Sequence, residues 1–153
     1  MAVVARRVHK GEVNMKKLML AAALLTATAM PSSAADVKEL QMLHWWTSGG
    51  EAAALNVVKQ EMAKEGYAWK DVPVAGGGGD AAMTALKAMV AAGNYPTASQ
   101  MLGYTVLDYA AAGKLGDLTD TAKKEGWDKV VPAAIQKFAT YDGKWVAVPV
   151  NVH

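Results

Sequence analysis

Two adjacent tryptophans are followed a few residues later by a carboxylate. Residues 43–53 read LHWWTSGGEAA, so that Trp45 and Trp46 precede two glycines and Glu51. A tryptophan ring offers a flat amphipathic surface for the apolar face of a sugar, and a carboxylate forms strong hydrogen bonds with hydroxyl groups. One such ring, one carboxylate and a few amides in a cleft make a minimal sugar site. The pattern alone favours this site and simple packing of both rings equally.

A run of four glycines, residues 76–79, ends at Asp80. A phosphate-binding loop needs a lysine and a hydroxyl residue after its glycines, whereas the carboxylate of Asp80 would repel an anion. We therefore expect Asp80 to be the N-cap of the helix that follows. The glycines, Gly78 among them, would form a flexible loop or let backbone amides approach a neutral, hydroxylated ligand.

Metal, cofactor and nucleophilic chemistry are not expected. The chain has no cysteine, and its three histidines, His9, His44 and His153, are isolated from one another. A zinc site needs three or four ligands. Neither Ser48 nor Ser99 lies in the G-x-S-x-G pattern of a nucleophilic serine.

Two further functions are compatible with the same residues. Glu51 and Asp80 would follow neighbouring strands, and a glycosidase needs two opposed carboxylates, although nothing in the sequence raises the pKa of either. An exported glycoside-acting enzyme that uses Glu51 is therefore one alternative to a sugar-binding protein. A non-catalytic adhesion or scaffold domain, whose tryptophans face a protein partner, is another.

Strands and helices alternate along the chain after residue 35. Hydrophobic periodicity and turn residues predict strands over residues 36–46, 69–74, 97–102 and 145–150, and helices over 51–65, 81–92, 106–112, 121–125 and 132–138. The Asp142-Gly143 pair predicts a tight hairpin turn. This order predicts an α/β domain with a mainly parallel sheet flanked by helices.

The predicted strands bring the candidate residues to the carboxyl ends of the parallel strands. We call this rim of the sheet the carboxyl edge. Ligands of such sheets bind beyond the carboxyl ends of the strands, and the segments 45–51, 75–80 and 100–104 each follow one of the first three strands. Successive side chains of a strand face opposite sides. With Leu43 facing the core, this alternation sends Trp45 to the core and Trp46 to the cleft.

The first 35 residues differ in charge and hydropathy from the rest. They carry five basic residues and one acidic residue, whereas the remainder has 11 lysines, no arginine and 13 acidic residues. Such a body argues against nucleic-acid binding. Met15 precedes two lysines, an apolar run of 13 residues and several small residues, which predicts a secretory signal peptide over 15–35 behind an upstream extension, residues 1–14. We therefore expect a periplasmic protein.

Four long segments carry a family resemblance: LHWWTSGGEAAALNVVKQE, WKDVPVAGGGGDAAMTALKAMVAAGNYPTASQ, LGDLTDTAKKEGWDKVVPAAIQKF and YDGKWVAVPVNVH. In this order they resemble the extracellular sugar-binding proteins of bacterial ABC importers, above all those that bind glucose or mannose. The resemblance runs from residue 40 to residue 153. It implies that residues 36–153 are the N-terminal lobe of a two-lobed protein, truncated at the crossover, and the apolar residues 145–153 favour truncation as well.

The resemblance also implies a function and a site. The protein would bind a monosaccharide such as glucose, deliver it to a membrane permease, act as a monomer when full-length, and use no cofactor and no catalysis. One ring of the tryptophan pair would stack on the sugar and Glu51 would bond its hydroxyls. Some relatives carry a lysine or histidine where Leu102 stands, so no particular hexose is implied. The implied ligand-binding residues are Trp45, Trp46, Glu51, Gly78, Asp80, Gln100, Asn151 and His153.

Overall fold

The computed structural model describes residues 2–5 and 38–150 of the 153-residue chain. The predicted signal peptide, Asn151 and His153 lie outside the described residues. In chain order the elements are β1 (Ala2–Ala5), β2 (Lys38–His44), α1 (Gly49–Lys64), β3 (Tyr67–Pro73), α2 (Asp80–Ala91), β4 (Ala98–Met101), α3 (Gly103–Ala111), α4 (Thr119–Glu125), α5 (Trp127–Val130), α6 (Ala133–Ala139), β5 (Thr140–Tyr141), β6 (Lys144–Trp145) and β7 (Val148–Pro149). Within this part of the chain no helix is long and apolar enough to cross a membrane.

Five strands form the main sheet in the order β3-β2-β4-β1-β7. Strand β2 pairs in parallel with both β3 and β4, whereas β1 lies antiparallel between β4 and β7. The predicted α/β fold with a mainly parallel sheet flanked by helices is therefore confirmed. The sequence did not predict β1, because its four residues lie in the segment interpreted as an upstream extension.

The two faces of β2 are covered by different helices. Leu43 is fully buried in a core cluster with Ala82 and Leu86 of α2 and Val106 of α3. Met42 and His44 alternate with Leu43 and therefore face the other side, where α1 packs along β3. Burial on both faces is typical of central parallel strands.

The prediction of one continuous strand over residues 145–150 is wrong, because the structure has two short strands there, β6 and β7. The chain first completes a hairpin, in which β5 and β6 pair around Asp142 and Gly143, both with positive φ as a two-residue turn requires. The N–H groups of Val146 and Ala147 then both donate to the Ala139 carbonyl, at 2.9 and 3.2 Å. This local bonding takes the chain out of the hairpin before β7 joins the main sheet.

Candidate functional site

The ends of three parallel strands meet at one edge of the sheet, as the sequence predicts. The Trp45 N–H, directly after β2, donates to Gln100 Oε1 in β4 at 2.9 Å. The Val74 N–H, directly after β3, donates to the His44 carbonyl at 2.8 Å. These two bonds join the three segments at the position where parallel sheets bind ligands.

Trp45 is held against the glycine loop and the core. It is half-buried and packs on the core cluster, as the alternation along the first strand predicts. Its ring lies so close to Gly79 that a Cβ atom there would be 2.9 Å from ring atoms Cη2 and Cζ2. Gly79 also has φ +86°, a conformation that glycine adopts without strain. Position 79 therefore requires glycine for two reasons: the positive φ of its backbone and the close contact with the Trp45 ring.

Trp46 differs from its neighbour. It is half-buried but is not among the residues that pack on the core cluster. Its indole Nε1 is buried, and within residues 38–150 and 2–5 it has no hydrogen-bond partner. A buried indole N–H is normally bonded. Trp46 thus combines a partly exposed ring with an unused donor at the edge of the sheet.

The two candidate carboxylates begin two different helices at this edge. Glu51 is exposed in the first turn of α1. Asp80 is exposed and is the first residue of α2, with Gly79 as the N-cap and no side-chain capping bond. The predicted N-cap role of Asp80 is therefore wrong, because a turn of 3₁₀ helix over Gly77–Gly79 leads directly into α2 and gives Asp80 helical dihedrals. Its carboxylate still complements the helix dipole in the first turn.

The other predicted residues of the edge have distinct surroundings. Gly78 is exposed, with φ +74°, and a Cβ atom added to it would meet no atom within 4 Å. Gln100 is 1% exposed, and its Oε1 holds the backbone of Trp45. Sequence reasoning placed Gln100 near the ligand but missed this bond, which depends on which strands are neighbours.

A buried histidine on the opposite face was also missed. His44 is 3% exposed, and its Nε2 lies 3.1 Å from Asp71 Oδ1. Asp71 also accepts bonds from Trp69 Nε1 and, on α1, from Lys59 Nζ. Burial raises the pKa of Asp71, but the hydrogen bonds from Lys59, Trp69 and His44 lower it more, so that its pKa lies below the ordinary 3.8.

This Asp71–His44 pair resembles the orienting half of a nucleophilic triad. In a triad the second ring nitrogen faces the nucleophile, whereas His44 Nδ1 is buried and has no partner among the described residues. The described residues also contain no cluster of three or more potential metal ligands. The pair ties β2 to β3 and, through Lys59, to α1.

The chain is similar in sequence to several known proteins. Residues 56–153 match the family model described as bacterial extracellular solute-binding protein. A probable sugar-binding periplasmic protein of Mesorhizobium japonicum is 80% identical over 91% of this chain and 33% of its own length. A protein of the same description from Rhizobium meliloti is 55% identical over 91% of this chain and 34% of its own length. An uncharacterized ABC transporter extracellular-binding protein of Pyrococcus horikoshii is 34% identical over 84% and 30%, respectively. The chain spans about a third of the length of these relatives.

Proposed function

The chain belongs to the family of bacterial extracellular solute-binding proteins, and from this premise we propose that it binds a monosaccharide such as glucose in the periplasm for an ABC importer. Residues 36–153 would be the N-terminal lobe of a two-lobed protein that acts as a monomer. Export would remove the signal peptide over 15–35 together with the residues before it, which include β1. The Mesorhizobium and Rhizobium relatives are described as probable sugar-binding periplasmic proteins, which supports a sugar as the ligand.

One observation carries the proposal. The bond from the Trp45 N–H to Gln100 Oε1, reinforced by the contact of the Trp45 ring with Gly79, holds Trp45 at the carboxyl edge of the parallel sheet. Preorganised aromatic surface costs little entropy when a ligand binds. Trp46, one residue further on, is the ring that this arrangement offers to a ligand.

The proposed contacts follow from the chemistry of each group. The Trp46 ring, which is half-buried, takes the apolar face of the sugar. The Glu51 carboxylate, which forms no hydrogen bond or ion pair within the described residues, accepts from other hydroxyls. Gly78 lets the loop backbone approach without a side chain, and Asp80 and Gln100 complete the proposed set at this edge.

No chemical step is part of the proposal. A sugar that contacts both lobes stabilises the closed arrangement of the two, because it makes more contacts there than in the open arrangement. The permease would distinguish the closed protein from the open one. Capture and transfer therefore need binding groups only.

Calorimetry of glucose binding to the complete two-lobed protein tests the proposal. We expect Trp46→Ala to weaken binding about tenfold or more. Glu51→Gln, which loses hydrogen bonds to a charged acceptor, should weaken it about ten- to a hundredfold. Trp69→Phe is the matched control, because Trp69 lies near the start of β3, away from the edge. Wild-type affinity in both Trp46→Ala and Glu51→Gln would show that the ligand lies elsewhere.

The same Glu51→Gln variant separates binding from catalysis. A glycoside-acting enzyme would release reducing sugar from oligosaccharides and would lose that release in Glu51→Gln. We expect no release from the wild-type protein. A scaffold domain would show tryptophan fluorescence that does not respond to glucose.

A further inference from the structure

Two buried nitrogen atoms close to the carboxyl edge lack a hydrogen-bond partner. They are His44 Nδ1 and Trp46 Nε1, and among the described residues no other buried side-chain nitrogen or oxygen is without a bond. His44 is 3% exposed, so its ring is shielded from solvent. Buried polar atoms are almost always bonded, either to protein or to ordered water. Both atoms therefore require a partner, and their residues are only two positions apart.

The chemistry of the two atoms is complementary. An indole N–H donates and cannot accept. On the other side of the imidazole ring, Asp71 Oδ1 lies 3.1 Å from His44 Nε2. Burial raises the pKa of Asp71, but its hydrogen bonds hold that pKa below 3.8, so at neutral pH it is a carboxylate that only accepts. Nε2 of a neutral His44 ring therefore carries the proton, which leaves Nδ1 as an acceptor.

The chain brings the two side chains within reach of one water molecule. Successive residues of an extended chain advance about 3.3 Å, so the backbones of His44 and Trp46 are at most about 7 Å apart. His44 alternates along β2 with the core residue Leu43, and Trp46 does not pack on the core cluster. A water between the two nitrogens accepts from the indole N–H and donates to Nδ1, and two polar partners are enough to hold a buried water.

We propose that His44 is a positioning residue for Trp46, whose indole ring it holds through one internal water bonded to Nδ1 and Nε1. The inference rests on the proposed function and gives Trp46 a restraint comparable to the one that Gln100 and Gly79 give Trp45. Asp71 in turn fixes the imidazole ring in the required tautomer. A ring that is already oriented loses less freedom when a sugar stacks on it.

A high-resolution crystal structure of the complete protein tests the proposed water directly. We expect one ordered water within about 3.2 Å of both His44 Nδ1 and Trp46 Nε1. An electron-density map with no water bonded to both nitrogens overturns the inference.

Two substitutions of His44 separate positioning of Trp46 from a structural role. In His44→Asn the amide oxygen lies near the place of Nδ1 and keeps the acceptor, whereas in His44→Gln the amide nitrogen lies near the place of Nε2 and keeps the bond to Asp71. We expect His44→Asn to bind glucose within about twofold of the wild type and His44→Gln to bind it about two- to tenfold more weakly. A role limited to the bond with Asp71 predicts the opposite ranking.

The indole resonances in ¹H–¹⁵N spectra give a readout that does not depend on sugar. The Trp46 indole N–H should move upfield and exchange faster in His44→Gln but not in His44→Asn, because only the former loses the acceptor. The indole signals of Trp127 and Trp145, which contact each other on the core side, are internal controls and should not move in either variant.

The results distinguish this inference from the proposed function. Unchanged glucose affinity and an unchanged Trp46 resonance in His44→Gln overturn the role of His44, while loss of binding in Trp46→Ala still supports the sugar site. A wild-type protein that binds no glucose refutes the proposed function, whereas the water and the indole resonance still decide whether His44 holds Trp46.

Discussion

Replacing Gly79 by alanine probes how the glycine loop holds Trp45. A Cβ atom at Gly79 would lie 2.9 Å from two carbons of the Trp45 ring, well inside van der Waals contact. The ring cannot yield freely, because it packs on the core cluster and its backbone N–H is bonded to Gln100. Either the loop or the ring must therefore move when the methyl group is added.

The expected cost has two parts. An L-residue in the left-handed conformation of Gly79, φ +86°, costs about 1–2 kcal/mol, of which the reduced entropy of the unfolded chain returns about 0.4–1 kcal/mol. Forcing an extra carbon into a packed site costs about 1–3 kcal/mol. We expect Gly79→Ala to lower the free energy of unfolding by about 2–4 kcal/mol in total.

The adjacent residue provides a matched control. Gly78 has φ +74°, but a Cβ there would meet no atom within 4 Å. Gly78→Ala therefore carries the backbone cost alone, about 1 kcal/mol. Urea unfolding followed by far-ultraviolet circular dichroism measures both variants, and near-ultraviolet dichroism reports whether a tryptophan has moved.

The difference between the two variants isolates the contact with Trp45. We expect Gly79→Ala to be less stable than Gly78→Ala by about 1–3 kcal/mol, with an altered tryptophan band only in the former. Equal stabilities and identical near-ultraviolet spectra would refute the reasoning, since the ring would then not be clamped by the loop.

Three more predictions concern stability. The pKa of Asp71 is lowered from 3.8, so the stability that its carboxylate contributes is full above that pH and is lost as the pH falls through the folded pKa. The urea midpoint of Asp71→Asn should therefore fall less than that of the wild type below about pH 4. At Gly103 an added Cβ would lie 3.1 Å from Phe138, whereas at Gly50, a helical site, it would meet open space. Gly50→Ala should therefore stabilise by about 0.5 kcal/mol and Gly103→Ala by less; equal effects in urea titrations would contradict this. Burial raises the pKa of Tyr109 above its ordinary 10.0, so the stability that its neutral hydroxyl contributes is lost as the pH rises above about 10, and Tyr109→Phe should weaken the loss of stability there.

Local signals in the sequence were sufficient for the elements that build the edge. The helices predicted before Gly66 and Gly93 end there, because both glycines adopt a positive φ that stops a helix. Pro73, which has no N–H to donate to a neighbouring strand, is the last residue of the outermost strand β3. Once the order of strands and helices is predicted, the rule that ligands bind beyond the carboxyl ends of parallel strands predicts that segments 45–51, 75–80 and 100–104 lie together.

Contacts between distant residues were not predictable in the same way. The bond from Trp45 to Gln100 and that from His44 to Asp71 join residues 55 and 27 positions apart. Each depends on strand order and register, which a single sequence does not specify. The N-cap of α2 and the break after Trp145 depend likewise on backbone geometry set by neighbouring elements.

The two adjacent tryptophans have different roles, ligand stacking and anchoring, that a single ring could not fill. A ring on which a ligand stacks must leave a face uncovered, whereas a ring that anchors its segment must be covered. Trp45 contacts Gly79 and the core cluster, whereas Trp46 does not pack on that cluster. We therefore expect Trp45→Ala to cost about 3 kcal/mol of unfolding free energy, and Trp46→Ala to cost less stability but more glucose affinity. Urea titration and calorimetry on both variants measure the two losses, and the opposite ranking would assign the anchor to Trp46.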